Sequence, residues 1–396
     1  MGRVRVLLGS VLAFAVMGCS LASGALRVVV TASASGRAAA GGGSCSAAFT
    51  SGRRLRVRTS PVATPASPNG IVTTADGRWS FSWLANGQLA VFADGPSVPK
   101  LVHTVPLRTN AGVSQLALTP DDRYLLAASG YGALVVSVAR AEHGDRHALL
   151  GTLSARPAGN SIPPFAINVA IQGVYAFVSV EFAHEVAVFN LRSALAAAFR
   201  TSGLVGTIPI GGLAVGLALS PDGRWLYTTS EENGPNGTNP GAVSVINVAT
   251  AESSPATAVI ATAPADACGT VRDVVSADGS TLWVTARDSN QLLAFSTSKL
   301  RSAPADSRIA SIAVGRGPVG LALVASGRRV ITADEQSNGL SVVNTASALT
   351  NKPAVLGTIA TGATPRDISV DSREQAALIT NRQSRQLQAI SLAQLP

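Results

Sequence analysis

The fold is decided by residues 216–229, which read GLALSPDGRWLYTT. An alternating apolar run precedes Ser-Pro-Asp-Gly at 220–223, and a second apolar run begins at Trp225. An Asp-Gly pair between two such runs is a strong β-hairpin signal, because glycine readily adopts the positive φ that tight turns require. The stretch therefore predicts two antiparallel strands joined by a turn at Asp222 and Gly223.

The same hairpin signal recurs along the whole chain. Related turn pairs stand at Asp76-Gly77, Asp121-Asp122, Gln172-Gly173, Asp222-Gly223, Asp278-Gly279, Ser326-Gly327 and Ser372-Arg373. Successive pairs are 45, 51, 50, 56, 48 and 46 residues apart. A period of this length indicates a repeat protein, in which each copy is one supersecondary unit.

Each repeat holds two further apolar runs, which bring the predicted strands to four. The third run is seen at 89–92 and 243–246, and the fourth is Gly-Thr-Ile at 206–208 and 357–359. Seven repeats of four antiparallel strands predict an all-β fold, a seven-bladed β-propeller whose blades cover one another's apolar faces. The last repeat ends after its third strand, so we expect residues 54–58 to pair with 387–392 as the outer strand of that blade.

The repeat resembles those of known bacterial propellers. The best matching turns are Ser-Pro-Asp-Gly-Arg at 220–224 and Thr-Pro-Asp-Asp-Arg at 119–123. Over residues 54–396 the chain resembles the YVTN-type repeat of bacterial surface and periplasmic propellers (YncE-like proteins). It also resembles the lactonase family of seven-bladed propellers, which includes 6-phosphogluconolactonase-like enzymes. The matching residues form a turn and specify the fold rather than an activity.

The first 52 residues indicate export. A basic start, an apolar run at 7–17 and small residues after it predict an export signal over 1–22. Its end is open between cleavage after Ala22, a lipobox that ends at a lipidated Cys19, and an uncleaved anchor. Residues 23–52 are rich in Ala, Gly and Ser and predict a flexible tether before a propeller over 53–396. The expected location is extracellular or in the cell envelope, with membrane contact only through a lipid on Cys19.

The net charge of +9 is concentrated at the N-terminus. Residues 1–60 hold eight arginines and no acidic residue, so residues 61–396 hold 23 basic against 22 acidic residues. A nearly neutral body lacks the concentrated basic face that phosphate binding needs, which argues against nucleic acid as a partner. If the signal is removed at Ala22, Cys45 and Cys268 remain, in an oxidising compartment, and either pair or stay apart.

Charged residues recur at one position of the repeat, just after the second strand. They are Glu181, Glu231, Arg287, Glu335 and, with a shift of one residue, Arg382, and their neighbours include His184, Asp288 and Asp334. Equivalent positions meet at one rim of a propeller's central channel, so these residues predict a polar ring around a ligand. Exposed loop tips are the alternative interpretation.

Two functions fit this ring. The first hypothesis is an exported, non-catalytic propeller that binds an unknown protein or small molecule through Glu181, His184, Asp288, Asp334 and Arg382. The second is a lactonase, in which Glu231, Arg287 and Glu335 are catalytic: Arg287 or Arg382 holds an anionic group, and a glutamate or His184 activates water. Walker, HExxH and GxSxG motifs are absent from the sequence, and we expect no cofactor, no metal ion and a monomer.

Overall fold

The computed structural model describes residues 48–94, 98–107, 112–156, 165–233, 240–371 and 373–396. The predicted export signal, the candidate lipidation site at Cys19 and most of the predicted tether lie outside these residues. No helix among the described residues has the length and apolar character needed to cross a membrane.

The chain forms seven antiparallel sheets of four strands, the blades of a β-propeller. The first strand, β1 (Thr59–Ala63), belongs to the last blade. Blade 1 contains β2 (Pro68–Thr73), β3 (Trp79–Leu84), β4 (Gln88–Asp94) and β5 (Pro99–Pro106). Blade 2 contains β6 (Val113–Leu118), β7 (Tyr124–Ser129), β8 (Gly132–Ser137) and β9 (Leu149–Ser154). Blade 3 contains β10 (Ala166–Gln172), β11 (Tyr175–Val180), β12 (Glu185–Asn190) and β13 (Leu204–Pro209).

Blades 4 to 7 repeat this order. They contain β14 (Gly212–Leu219), β15 (Trp225–Asn233), β16 (Ala242–Asn247) and β17 (Val259–Pro264); β18 (Thr270–Val275), β19 (Thr281–Ala286), β20 (Gln291–Ser296) and β21 (Arg308–Ala313); β22 (Pro318–Val324), β23 (Arg329–Asp334), β24 (Gly339–Asn344) and β25 (Val355–Ala360); and β26 (Pro365–Val370), β27 (Ala376–Asn381) and β28 (Gln386–Ser391) together with β1.

Short helices follow the third strand in blades 2 to 6. They are α1 (Val138–Glu142), α2 (Leu191–Ala196), α3 (Val248–Ala251), α4 (Thr297–Ser302) and α5 (Thr345–Leu349). The residue before each helix is Ser or Asn, and its side chain accepts the backbone N–H three residues on, as an N-cap does. One-turn 3-10 helices span Glu181–Ala183, Pro255–Thr257, Pro304–Asp306 and Leu392–Gln394.

The turn that decides the fold is held by its own side chains. Asp222 accepts hydrogen bonds from the Ser220 hydroxyl and the Arg224 N–H, and Gly223 has a φ of 68°. The same pair of bonds recurs around Asp76, Asp121 and Asp278. An aspartate that bonds the backbone two residues on stabilises a turn locally, so in these four repeats the first hairpin is held by neighbouring residues.

The core lies between adjacent blades. One cluster packs Phe177 and Val188 of blade 3 against Leu226 and Ile246 of blade 4, all fully buried. Every blade has two apolar faces and needs a neighbour on each side, which a closed ring supplies.

A buried hydroxyl joins neighbouring blades near the axis. Thr285 accepts the Arg272 N–H at 3.2 Å and donates to the Val319 carbonyl of the next blade at 2.7 Å. Ser179, Thr229 and Thr380 make equivalent pairs of bonds. A β-bulge in each of these inner strands breaks the ladder at this level, and the hydroxyl satisfies the amide that the bulge leaves unpaired.

The two ends of the chain meet in blade 7. β1 pairs with β28, with Thr59 opposite Ile390 and Ala63 opposite Gln386. This strand begins five residues after the start of the predicted 54–58. Compared with β5, the outer strand of blade 1, β1 is three residues shorter and its connection to the next inner strand is two residues shorter. Leu55 instead donates its N–H to the Thr358 carbonyl of blade 6, at 2.7 Å.

Cys268 is disulfide-bonded. The two other cysteines, Cys19 and Cys45, lie outside the described residues, and so does the partner of Cys268.

Candidate functional site

The predicted ring residues lie on one rim, which we call the mouth: the rim formed by the turns between second and third strands. Glu181 begins a 3-10 helix there, Glu231 lies near the end of β15, and Arg287, Glu335 and Arg382 each follow a second strand directly. In an antiparallel blade these turns all lie at the same end, so residues far apart in sequence surround one axis. The α-helices α1 to α5 lie on the opposite rim.

The first charged cluster of the mouth joins blades 4 and 5. Arg287 donates to both oxygens of Glu231, at 3.0 and 3.2 Å, and its Nε donates to Asp288 at 3.1 Å. Burial works against the charged form of Arg287, but Asp288 and Glu231 outweigh burial and raise its pKa. The bidentate geometry fixes the guanidinium plane, which a single contact would leave free to rotate.

The second cluster joins blades 6 and 7. Arg366 donates to Glu335 Oε2 at 3.0 Å, while the nearest nitrogen of Arg382 lies 3.8 Å from Glu335 Oε1. Two guanidiniums therefore share one carboxylate. Burial and the neighbouring Arg366 lower the pKa of Arg382, which Glu335 opposes.

Glu181 is a carboxyl group of the mouth whose pKa is raised by burial. Its residue is 8% exposed, and burial raises its pKa from 4.5 to about 7. The Glu231 carboxylate acts in the same direction, and the guanidiniums of Arg287, Arg272 and Arg366 act against it. A carboxyl group with this pKa can donate or accept a proton near neutral pH.

Two predicted ligand residues do not join the clusters. Asp334 is 1% exposed and accepts hydrogen bonds from Thr332 Oγ1 at 2.7 Å and Ser341 Oγ at 2.6 Å, so its carboxylate is bound within blade 6. Its role as a ligand residue stays a prediction: these bonds hold the carboxyl group, and Asp334 also lines a cavity beside Arg316. His184 is exposed, and among the described residues no hydrogen bond joins its ring to the charged clusters.

The inner strands contribute charged residues that sequence reasoning missed. Arg366 lies in β26 at a position where Ile167, Val215, Val271 and Val319 of other blades form an apolar cluster. Arg272 and Asp367 occupy the next position, which is glycine in β14 and β22. A charged residue at a position that is uncharged in most of the other blades was the signal that could have revealed them.

Arg272 and Asp367 are both 7% exposed. Asp367 accepts the Ile71 N–H at 2.9 Å and the Gln115 amide at 3.0 Å. Burial lowers the pKa of Arg272 to about 10, opposed mainly by Asp367, and its Nε and Nη1 have no hydrogen-bond partner among the described residues. Within those residues no three His, Cys, Asp or Glu side chains are grouped closely enough to hold a metal ion.

The comparisons with known proteins show the fold. No family model and no curated protein matches the chain. A chain of hydrazine synthase from Kuenenia stuttgartiensis is similar in structure, with a TM-score of 0.67, 14% sequence identity, and coverage of 84% of this chain and 97% of that chain. At this identity the similarity shows the fold alone. The predicted seven-bladed propeller is confirmed, whereas membership of the YVTN-type or lactonase families is not shown.

Proposed function

We propose that this protein is an exported, non-catalytic β-propeller that binds a partner through the mouth. The observation that carries the proposal is the pairing of the mouth's charges. Both oxygens of Glu231 accept from Arg287, and Glu335 lies between Arg366 and Arg382. A general base becomes neutral when it takes a proton, and for these carboxylates that would weaken their attraction to the arginines.

Paired charges on a rigid rim suit recognition instead. Strands and tight turns hold the guanidiniums, so a partner meets donors that are already ordered, and little side-chain entropy is lost on binding. Arginine and aromatic residues are enriched at interfaces, and the mouth also carries Phe165 and Phe182, 44% and 42% exposed, with ring centroids 5.6 Å apart. The export part of the proposal rests on residues 1–22 and on the resemblance to YVTN-type propellers.

Site-specific photo-crosslinking in the producing cells tests partner binding at the mouth. A benzophenone amino acid replaces Phe182 at the mouth or, as the matched control, Leu349 on the opposite rim, where it is 38% exposed. We expect a cross-linked product from position 182 alone, and its loss when Arg287→Ala is added. Equal products from both positions, or none from position 182, would overturn the proposal.

A lactonase is the second candidate, favoured by Glu181. Its pKa of about 7 suits a general base or acid, and it lies close enough to Glu231 and Arg287 for their charges to affect it. In this mechanism Arg287 would orient the lactone's anionic group and Glu181 would take a proton from the attacking water. The predicted catalytic set of Glu231, Arg287 and Glu335 then serves to position and neutralise charge.

Proton release from a panel of sugar lactones and acyl-homoserine lactones separates the two candidates. The wild-type protein is compared with a Glu231→Gln, Arg287→Ala double variant and with Glu181→Gln, and Arg78→Ala serves as the control on the opposite rim. The binding proposal expects no turnover above that of the variants. Turnover that disappears in Glu181→Gln, while the variant's thermal midpoint is no lower than that of wild type, would establish the lactonase instead.

A further inference from the structure

A cavity of about 310 Å³ opens beside the charged clusters, over blades 1 and 2. These are the two blades whose ring positions, Ala85 and Gly130, carry no charge. The residues that matter for its chemistry are Asn69, Trp83, Ser114, Phe165 and Arg382. The volume is at the lower end of the range for small-molecule sites, so it admits a compact ligand with one or two rings.

The wall of this cavity is aromatic and fixed. Trp83 is 4% exposed and packs in the core of blades 1 and 2, which holds its ring in place. Phe165 is supported by Phe182. The Asn69 amide donates to the Val113 carbonyl at 3.0 Å and ties the two blades together at the cavity. A planar ring entering the cavity would find aromatic surface that needs no rearrangement.

The edge of the cavity carries net positive charge. Arg382 lines the cavity and shares the single Glu335 carboxylate with Arg366, at 3.8 Å and 3.0 Å respectively. Burial and Arg366 both disfavour the charged form of Arg382 and lower its pKa, which Glu335 opposes. An anion in the cavity would balance the second guanidinium and accept hydrogen bonds from it.

We infer that this cavity binds a small molecule that carries both an aromatic ring and an oxyanion, the ring against Trp83 and Phe165 and the oxyanion on Arg382. A carboxylate and a phosphate share this chemistry. The inference rests on the proposed function, because the cavity opens on the same mouth, and it names the class of ligand that one part of the mouth takes.

Calorimetric titration of the purified protein tests the inference with four probes. Phenylacetate and phenyl phosphate carry a ring and an oxyanion, acetate lacks the ring, and phenylacetamide lacks the charge. We expect phenylacetate or phenyl phosphate to bind and acetate and phenylacetamide to bind at least about tenfold more weakly, since a charge-assisted hydrogen bond or a buried ring each contributes at this scale. Whichever of the two oxyanion probes binds more tightly identifies the ligand as a carboxylate or a phosphate.

Variants locate the binding. Arg382→Gln should weaken the bound probe about tenfold or more, and Phe165→Leu should weaken it several-fold. Arg385→Gln removes the same charge from an exposed arginine on the same turn, outside the cavity, and should leave binding unchanged. Unchanged thermal midpoints show that the variants are folded.

Two results would overturn the inference. One is the absence of binding by both phenylacetate and phenyl phosphate at millimolar concentration. The other is equal affinity in wild type and Arg382→Gln. Cross-linking at position 182 is read independently of these probes, so a cross-linked partner without ligand binding would leave the proposed function standing and remove the inference alone.

Discussion

Glu181 shows how the ring changes the chemistry of one residue. Its carboxyl group is buried beside Glu231, and its pKa rises to about 7 although three guanidiniums oppose the shift. In the unfolded chain the same group would titrate near its ordinary value of 4.5. The folded protein therefore holds a proton on Glu181 over a pH range in which the unfolded chain has lost it.

This difference predicts a pH-dependent contribution to stability. Since the folded pKa is raised, folding is penalised as pH rises from about 4.5 to about 7, and the penalty is complete above that range. Glu181→Gln removes it, so the free energy of unfolding of the variant should equal that of wild type at pH 4.5 and exceed it by roughly 3 kcal/mol at pH 8, about 1.4 kcal/mol for each pKa unit. Urea unfolding at several pH values between these limits measures the difference.

An exposed carboxylate supplies the control for Glu181. Asp306 lies on the opposite rim, and the stability of Asp306→Asn should follow wild type at every pH. If the free energy of unfolding of Glu181→Gln changes with pH in parallel with that of wild type, Glu181 does not hold its proton in the folded state.

At the scale of elements, the hydroxyl between blades joins sheets that share no strand pairing. Thr285 serves the Arg272 amide of its own blade and the Val319 carbonyl of the next. The bulge between Thr270 and Arg272 leaves the Arg272 amide without a partner in the sheet, and the Thr285 hydroxyl accepts its hydrogen bond. The same arrangement occurs at Ser179, Thr229 and Thr380. The contacts between these blades therefore include directional hydrogen bonds as well as apolar packing.

Removing one of these buried hydroxyl groups should therefore lower the free energy of unfolding more than removing a hydrogen bond at the surface does. Thr285→Val keeps the side-chain shape but leaves a buried N–H and a buried carbonyl without partners. We expect a loss of about 1–3 kcal/mol in the free energy of unfolding, measured by urea denaturation. The control is Thr152→Val, an exposed threonine of β9, which should change stability by less than about 0.5 kcal/mol. Equal losses in the two variants would contradict this account.

At the scale of the whole molecule, the outer strand of blade 7 comes from the other end of the chain. β1 covers one edge of β28, and Val62 packs with Leu387 and Ala389. The other six blades take all four strands from consecutive sequence, so a defect in them leaves the ring covalently continuous. Among the described strands, β1 alone pairs with a strand distant in sequence, and it adds this pairing to the bond from Thr380 to Asn69 that also joins blades 7 and 1.

Replacing Thr59–Ala63 with five Gly and Ser residues should lower the thermal midpoint by about 5 °C or more, on the scale of a few kcal/mol lost from a protein of this size. The comparison is a Gly/Ser replacement of β9, the outer strand of blade 2, which removes an equivalent edge without opening the ring. Differential scanning calorimetry should show the larger decrease for the β1 replacement. A larger decrease for β9 would mean that the β1–β28 pairing does not close the ring.

Much of this architecture could be predicted because its causes are local or periodic. The Asp222-Gly223 turn is held by bonds from Ser220 and Arg224, all within four residues, so its sequence alone specifies it. The number of blades follows from the number of repeats. Even the placement of Glu231 and Arg287 on one rim follows from their position in the repeat, because equivalent residues of antiparallel blades lie at one end of the sheet.

Other features depended on contacts between distant parts of the chain. The sequence placed Asp334 in the ring, but Thr332 and Ser341 hold it inside the blade. No sequence pattern indicated that Arg366 would lie closer to Glu335 than Arg382 does. The three residues come from two blades, and their distances depend on the packing of the ring.

Sequence by itself determined the repeat, the strand order and the residues available to the mouth, since hairpin turns and alternating apolar runs act over a few residues. Only the tertiary structure decided which charges pair, which carboxyl group keeps its proton and where the aromatic cavity lies. These depend on side-chain distances and on the exclusion of water, and both arise only when seven blades close around one axis.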